Sequence, residues 1–328
     1  MNKKRPLLGV AGLILALLLV LTGMICGLRY WESTNFYPDD AVEDTGSKKT
    51  IIRDGVAYYP RQNITTIMLL GIDETGPVKS SGSYRNKGEA DVVMLLILDQ
   101  EDETYTILAL NRDTMLEMDT LGVRGEYAGK AYGQLALAHT FGSGLADSCE
   151  NVKSTLTNFL PGLFVDHYVA LNMDAIGLVT DLVGGVQVTV QDDFSSVDST
   201  LGTGVVLLSG DQALNFVRAR KDVGSQLNIT RMSRHEEFMR GLMKAMNAKL
   251  EESDSFVLDL YDQIDEYMVT DCSVNTINGL LQRCADYTLK EIVSPAGTNT
   301  RGEEYYEFLV DEEALDQLTL RLLYAPKK

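Results

Sequence analysis

Two arginines lie one residue apart in "FVRARKD", residues 216–222, directly after an apolar stretch. The whole chain is acidic, with 47 Asp and Glu against 29 Lys and Arg and a formal charge of −18. Residues 211–250 depart from this balance, because they contain eight basic and only four acidic residues. This local excess of positive charge predicts a binding site for an anion.

The spacing of the arginines favours phosphate as that anion. In an extended segment Arg218 and Arg220 would point to one face, because strand side chains alternate. Arg231 and Arg234 are spaced i, i+3 at the start of a predicted helix, where backbone N–H groups favour an anion. Guanidinium groups bind phosphate oxygens through paired hydrogen bonds, so four of them together predict a phosphate or pyrophosphate site. Ion pairing with the abundant carboxylates is the alternative, and charge alone does not distinguish the two.

Carboxylates form the second group of candidate residues. Asp73 and Asp91 lie at the ends of two neighbouring predicted strands, and Arg112 and Asp113 follow a third in "LNRDTM". Ligands of open α/β sheets collect at strand ends. Mg²⁺ is usually bound by one or two carboxylates together with substrate phosphates, so the aspartates predict a Mg²⁺ site. A turn or a helix cap is the alternative role for each aspartate taken singly.

Hydrophobic patterns define the elements that must position these residues. Near-continuous apolar runs, typical of strands buried on both faces, occupy residues 63–73, 90–99 and 104–113. Helical patterns at 146–160 and 173–183 precede a further strand at 184–190. This alternation predicts an α/β fold with a mixed central sheet and helices on both faces.

An uncharged apolar run at residues 6–28 follows three basic residues at positions 3–5. About 20 apolar residues cross a bilayer as a helix, and a basic flank stays in the cytoplasm. A cleaved signal peptide is the alternative, although its apolar region is typically only about 7–15 residues long. We therefore expect a cytoplasmic tail at 1–5, a single transmembrane anchor at 6–28, a polar stalk at 29–60 and an extracytoplasmic bulk at the cell membrane.

Composition predicts a folded ectodomain that does not bind nucleic acid. Hydrophobic residues make up 45% of the chain, which is enough to bury a core. An acidic surface argues against binding duplex nucleic acid, whose phosphates require a basic footprint. Outside the anchor lie Cys149, Cys272 and Cys284, an odd number that is no disulfide framework, so we expect buried free thiols.

An ordered series of motifs makes the chain similar to the LytR-CpsA-Psr family of membrane-anchored cell-envelope enzymes. The series runs from Thr65 to Leu250 and includes "IMLLGID", "ADVVMLLILD", "LNRDTM", "LLSGDQALNFVRARKD" and "RMSRHEEF". Their order and spacing behind one N-terminal anchor make the resemblance specific. It implies a catalytic domain at residues 61–250 and a C-terminal part, residues 251–328, that packs on it.

The resemblance also implies an activity. Proteins of this family move a glycopolymer from an undecaprenyl (polyprenyl) pyrophosphate carrier to peptidoglycan through a phosphodiester, so the expected partners are the lipid-linked glycan, peptidoglycan and the membrane. The residues implied as catalytic are Asp91, Arg112 and Arg220. Those implied as Mg²⁺ ligands are Asp73 and Asp91. Those implied to bind the pyrophosphate are Arg112, Arg218, Arg220, Arg231 and Arg234.

The chain departs from the family pattern at a few positions. Glu89 and Ala90 stand where family members often have Arg-Ser or a similar pair, and Ala136 stands where Asn is usual. His139 replaces an aromatic residue, and His235 replaces Gln. None of these departures removes a residue that is implied to bind the pyrophosphate, although they could change the acceptor or weaken the activity.

Two other functions remain open at the level of sequence. A non-catalytic ectodomain that binds wall polymer or lipid carrier would use the same arginines without a metal ion. A polyprenyl-pyrophosphate pyrophosphatase would use the same site with water as the acceptor. Mg²⁺-dependent transfer to a sugar hydroxyl distinguishes the proposed enzyme from both.

Overall fold

The computed structural model describes residues 50–53, 55–219, 223, 228–253, 256–272, 280, 283–284, 287–302 and 305–326. The predicted cytoplasmic tail, the predicted anchor at 6–28 and most of the predicted stalk lie outside these residues. In the part of the chain that is described, no helix combines the length and the apolar character needed to cross a bilayer.

The strands and helices follow one another in a mixed α/β order. The strands are β1 (Ile51–Arg53), β2 (Val56–Pro60), β3 (Ile64–Ile72), β4 (Ala90–Asp99), β5 (Thr104–Leu110), β6 (Met115–Leu121), β7 (Tyr127–Gln134), β8 (His167–Asn172), β9 (Val186–Val190), β10 (Gly204–Leu208), β11 (Met268–Thr270), β12 (Thr288–Val293), β13 (Gly297–Arg301), β14 (Tyr306–Val310) and β15 (Tyr324–Pro326). The α-helices are α1 (Ala146–Phe159), α2 (Met173–Leu182), α3 (Gly210–Arg218), α4 (Asn228–Glu252), α5 (Phe256–Ile264) and α6 (Glu312–Leu323). Short 3₁₀ helices occupy Leu135–Thr140 and Asp265–Tyr267.

A six-stranded mixed sheet with the order β11-β8-β3-β4-β5-β12 forms the centre of the fold. β4 is antiparallel to both β3 and β5, so the end of β3, the start of β4 and the end of β5 meet at one edge. β8 runs parallel to β3, and β12 runs parallel to β5. The central mixed sheet predicted from sequence is confirmed.

Helices cover both faces of this sheet, because its central strands are apolar on both sides. On one face Ile67 and Leu96 pack with α2, α3, α4 and α5. On the other face Met68 and Leu95 pack with α1, α6 and the 3₁₀ helix at Leu135–Thr140. Successive residues of β3 and β4 therefore alternate between two cores. The predicted helices on both faces are confirmed.

Residues 51–60, which the sequence assigned to a stalk, form β1 and β2 instead. The two strands pair with each other and β2 pairs with β15, where Tyr324 lies opposite Pro60. The sequence around β1 and β2 does not reveal these strands, because β15, the strand that pairs with β2, lies far along the chain. Residues beyond 250 also supply both outer strands of the central sheet, β11 and β12.

The three cysteines outside the predicted anchor are buried thiols that form no disulfide, as expected. Burial raises the pKa of Cys272 to about 12 and the pKa of Cys284 to about 11. Both side chains are therefore protonated thiols at neutral pH rather than reactive thiolates.

Candidate functional site

The candidate site lies where β3 ends and β4 begins. Asp73 follows β3, and its backbone N–H donates to the carbonyl of Glu89 at 2.9 Å. The pairing of β3 with β4 shifts between Gly71 and Ile72, which leaves Asp91 as an extra residue in a β-bulge. Bulges re-aim side chains beside functional sites. The two aspartates predicted as metal ligands thus lie on neighbouring strands at the same edge of the sheet.

Arg112 is the centre of an ion-pair cluster at this edge. Val93 of β4 pairs with Leu110 of β5, so the turn after β5 brings Arg112 beside Asp91. The guanidinium contacts the carboxylate of Asp91 and lies 2.5 Å from Glu89 Oε2. Its Nε lies 3.3 Å from Asp113 Oδ1, and Arg112 is only 5% exposed. A buried cation must be paired, and here carboxylates surround it.

The turn that carries Arg112 is fixed by hydrogen bonds. The side chain of Asn111 accepts from the N–H of Asp113 at 3.0 Å, and the hydroxyl of Thr114 donates to the carbonyl of Asn111 at 2.6 Å. The amide of Gln134 donates to Asp113 at 2.9 Å and to the carbonyl of Tyr306 at 2.8 Å. Asp113 is therefore held in place by β7 and β14, and it orients Arg112 in turn.

Arg218 forms a second ion pair beside this cluster. Its NH2 lies 3.2 Å from Asp73 Oδ1, and the two side chains are 47% and 44% exposed. Arg218 is the last residue of α3, so the extended conformation considered for this segment does not hold at this residue. The helix begins at a capping box formed by Ser209 and Gln212, and its carboxyl end favours a cation. Arg220 lies outside the described residues.

Arg234 is buried and holds the end of α3. Its NH1 donates to the carbonyl of Phe216 at 2.9 Å, and its NH2 donates to the carbonyl of Ala219. The guanidinium also lies 5.4 Å from the ring centre of Phe194. The guanidinium group of Arg234, which was predicted to bind pyrophosphate, thus donates its hydrogen bonds to backbone carbonyls instead. Arg231 lies in α4, and its side chain is outside the described residues.

Two histidines that depart from the family pattern bond to the backbone near the site. His139 Nδ1 lies 2.7 Å from the carbonyl of Gly88, next to Glu89. A carbonyl only accepts, so Nδ1 carries the proton, and burial lowers the pKa of this imidazole. His235 Nε2 lies 3.0 Å from the carbonyl of Val217 in α3. His139 thus positions the segment that carries Glu89, and His235 positions the end of α3 that carries Arg218.

Sequence reasoning missed the contact between Glu89 and Arg112. It registered Glu89 only as a departure from the family pattern. The signal was present, because residues 89 and 91 are two apart at the start of a strand and so share a face. Arg112, two residues past the end of the adjacent antiparallel strand β5, then lies within reach of both carboxylates.

The donor set fits Mg²⁺. Asp73 and Asp91 offer hard carboxylate oxygens, which Mg²⁺ prefers over nitrogen or sulfur ligands. In this structure Arg218 pairs with Asp73, whereas Arg112 is shared among Asp91, Glu89 and Asp113. Carboxylates therefore outnumber arginines at this edge, and the excess negative charge favours a cation.

The LytR_cpsA_psr family model matches residues 36–323 of the chain. The polyisoprenyl-teichoic acid–peptidoglycan teichoic acid transferase TagU of Bacillus subtilis is 22% identical over 328 residues, 98% of this chain and 96% of that protein. TagU of Bacillus anthracis is 28% identical over 179 residues, 55% of this chain and 52% of that protein.

Solved structures share the fold. TagV of Bacillus subtilis has a TM-score of 0.60 at 22% identity and covers 80% of this chain and 96% of its own. A structure of TagT bound to LIIa-WTA has a TM-score of 0.58 at 20% identity and covers 80% of this chain and 90% of its own. The resemblance expected from the ordered motifs is confirmed.

Proposed function

Because the chain belongs to the LytR-CpsA-Psr family, we propose that it is a phosphotransferase that moves a glycopolymer from a polyprenyl pyrophosphate carrier to peptidoglycan. One observation carries this proposal: the buried Arg112 lies between Glu89 and Asp91, beside the ion pair of Arg218 and Asp73. The names of the TagU relatives favour an anionic polymer of the teichoic acid class. The apolar run at residues 6–28 would anchor the enzyme beside its lipid-linked substrate.

Substrate binding in this proposal is an exchange of ionic partners. The pyrophosphate oxygens replace the carboxylates as hydrogen-bond partners of Arg112 and Arg218, because guanidinium groups bind phosphate oxygens well. Asp73 and Asp91, freed from the arginines, are the residues that would hold Mg²⁺. When bound, the ion would supply positive charge to the phosphate oxygens. Arg234 positions the end of α3. Arg220 and Arg231 are further candidates for binding the pyrophosphate.

The reaction is a displacement at phosphorus. The oxygen of an acceptor hydroxyl attacks the phosphorus that carries the glycan, and the bond to the bridging oxygen breaks. Polyprenyl monophosphate leaves, a phosphodiester forms, and the hydroxyl proton passes to a carboxylate of the site. Negative charge moves onto the leaving phosphate, so the arginines accelerate the reaction by stabilising that charge.

The test uses the full chain in detergent with a labelled polyprenyl-pyrophosphate glycan and peptidoglycan. We expect the label to become attached to peptidoglycan with Mg²⁺ and not with a chelator, together with release of polyprenyl monophosphate. Release of glycan phosphate without attachment would identify a pyrophosphatase. Binding of the glycan without turnover would identify a non-catalytic binding ectodomain. Either of these two results overturns the proposal.

A further inference from the structure

A second group of side chains of the types that can ligate a metal ion lies away from the candidate site, at the other end of the same sheet. His167 begins β8, and Asp271 and Cys272 follow β11. His167 pairs with Ile67 near the start of β3, whereas Asp73 follows the end of that strand. Six residues of strand separate these positions, which is about 20 Å. The group is therefore separate from the cluster around Arg112.

The pairing of β11 with β8 brings these three residues together. The strands are antiparallel, and Thr270 lies opposite Val169. β11 ends at Thr270, and continuing the same register by two positions would bring Cys272 level with His167. One ligand atom from each of His167, Asp271 and Cys272 lies within 4.8 Å of the other two. An imidazole nitrogen, a carboxylate oxygen and a sulfur therefore converge on one small volume.

His167 has a ring nitrogen that needs a partner. Its Nδ1 is buried without a hydrogen bond, and Asp271 Oδ1 lies 3.6 Å away. That separation exceeds the about 2.7–3.2 Å of a hydrogen bond. It is close to the about 3.3–3.6 Å between ligand atoms that share one tetrahedral Zn²⁺ at bond lengths of about 2.0–2.3 Å. The distance thus suits two ligands of one ion better than a direct bond between the side chains.

The surrounding backbone holds the ligand segment in place. Asp271 Oδ1 accepts from the N–H of Tyr168 at 2.9 Å. The hydroxyl of Thr270 donates to the carbonyl of Tyr168 at 2.7 Å and accepts from the N–H of Cys272 at 3.2 Å. Hydrogen bonds of this kind orient metal ligands in proteins. The site is consequently prearranged rather than assembled from mobile side chains.

The local charge favours a cation. Burial raises the pKa of the Glu150 carboxyl, and the charge of Asp271 raises it further, although Lys153 opposes the shift. Asp166 lies directly before His167 and is also buried in part. A divalent cation bound by Asp271 would offset part of the negative charge that Asp271 exerts on Glu150.

We propose that His167, Asp271 and Cys272 bind Zn²⁺, with water in the fourth position. Nitrogen, sulfur and carboxylate ligands in a tetrahedral set are typical of Zn²⁺, whereas Mg²⁺ prefers oxygen ligands alone. Cys272 binds as the thiolate and releases its proton to solvent when the ion enters. The ion would join the edge strand β11 to β8 and so stabilise the fold, at the end of the sheet opposite to the proposed transfer site.

The test measures metal binding on the full chain in detergent, after treatment with a chelator that is then removed. Titration with Zn²⁺ should give one tightly bound ion per chain and a higher melting temperature, because an ion that binds only the folded state stabilises it. Titration with Co²⁺ should give the near-ultraviolet charge-transfer band of a thiolate ligand. Absence of that band in the wild-type chain overturns the proposal without the use of any variant.

Variants identify the ligands. Cys272→Ser and His167→Gln should each weaken Zn²⁺ binding by more than the about 10–100-fold that loss of an outer hydrogen-bond partner costs. Cys284→Ser is the matched control, because Cys284 is also a buried free thiol and lies outside the group. A cobalt band that disappears in Cys284→Ser and persists in Cys272→Ser would place the metal elsewhere and overturn the proposal.

Discussion

At the scale of single residues, substrate binding in the proposed reaction depends on which carboxylate dissociates from Arg112. Asp113 and Asp91 are nearly buried, with side chains 2% and 9% exposed, whereas that of Glu89 is 38% exposed. Glu89 can therefore move into water at the lowest cost in free energy when a phosphate approaches. In the proposed reaction Glu89 would compete with the substrate for the guanidinium, which the family resemblance alone does not predict.

We expect Glu89→Gln to lower the KM for the lipid-linked glycan by up to about fivefold with kcat retained. The reason is that a partly exposed ion pair is worth about 0.2–1 kcal/mol, which the substrate no longer has to displace. Initial rates against substrate concentration measure the effect. Glu117→Gln is the control, since Glu117 pairs with Lys130 on the β6–β7 hairpin. A higher KM would show instead that Glu89 binds the substrate or its metal ion.

Arg218→Ala should reduce kcat/KM by about 10- to 100-fold, the cost of losing a charge-assisted hydrogen bond to phosphate. Unfolding free energy should change by less than about 1 kcal/mol, because the pair with Asp73 is exposed. Arg321→Ala is the control, as Arg321 forms a similarly exposed pair with Glu291. Loss of stability with normal activity would identify Arg218 as part of a stabilising ion pair only.

His139 should make stability depend on pH. Burial lowers the pKa of its imidazole below the ordinary value of 6.5, so the unfolded chain binds the proton more readily. Stability is then full above about pH 6.5 and falls as the pH drops below that value. We expect His139→Asn, which keeps a donor for Gly88, to show a shallower loss between pH 7 and pH 5 in denaturant unfolding. An equal slope in both proteins would contradict this.

The meeting of Asp73, Asp91 and Arg112 at one edge of the sheet could be predicted from sequence, because each follows or begins an apolar strand. Their pairing could not be predicted. Arg112 lies among several carboxylates, and only the β-bulge at Asp91 and the turn after β5 decide which of them it contacts. The roles of Arg220 and Arg231 stay predictions.

At the scale of elements, α4 controls the geometry of α3. Arg234 and His235 of α4 bond to the carbonyls of Phe216, Val217 and Ala219 at the end of α3. Those carbonyls have no partner further along the helix, so side chains satisfy them. The position of Arg218 is thus set by a helix that lies later in the chain.

Arg234→Met should lower the unfolding free energy by about 2–4 kcal/mol, because it leaves two buried carbonyls without a donor. Methionine preserves packing against Phe194, so the loss reports the hydrogen bonds. Arg240→Met, an exposed position of the same helix, is the control. Denaturant unfolding measures both variants. Unchanged stability with a large loss of activity would restore the sequence-based role of Arg234 as a direct pyrophosphate ligand.

Long apolar or periodic segments were predictable as elements. The predicted strands correspond to β3, β4, β5 and β9, and the predicted helices to α1, α2 and α4. The polar hairpin β6–β7 and the short strands β11 and β12 were not recognised, because their stability comes from partners distant in sequence. The sequence left the conformation at Arg218 open, and the structure shows that the capping box at Ser209 starts a helix that continues through it.

At the scale of the whole molecule, the acidic chain places two arginines, Arg112 and Arg218, where a phosphate is proposed to bind. We expect the mature protein to keep residues 1–28, since the basic flank and the long apolar run are those of an anchor. N-terminal sequencing of protein extracted from membranes checks this. A mature chain that starts after Leu28 would identify a cleaved signal peptide.

β15 completes the small sheet that β1 and β2 begin, and β12 covers the edge of β5 in the same way. Synthesis proceeds from the amino end, so β2 and β5 emerge from the ribosome long before the strands that cover them. Until then each is an open edge that can pair with another chain. Folding is consequently completed late, and a nascent chain cut short before residue 324 would be a target for proteolysis or aggregation rather than a partly active enzyme.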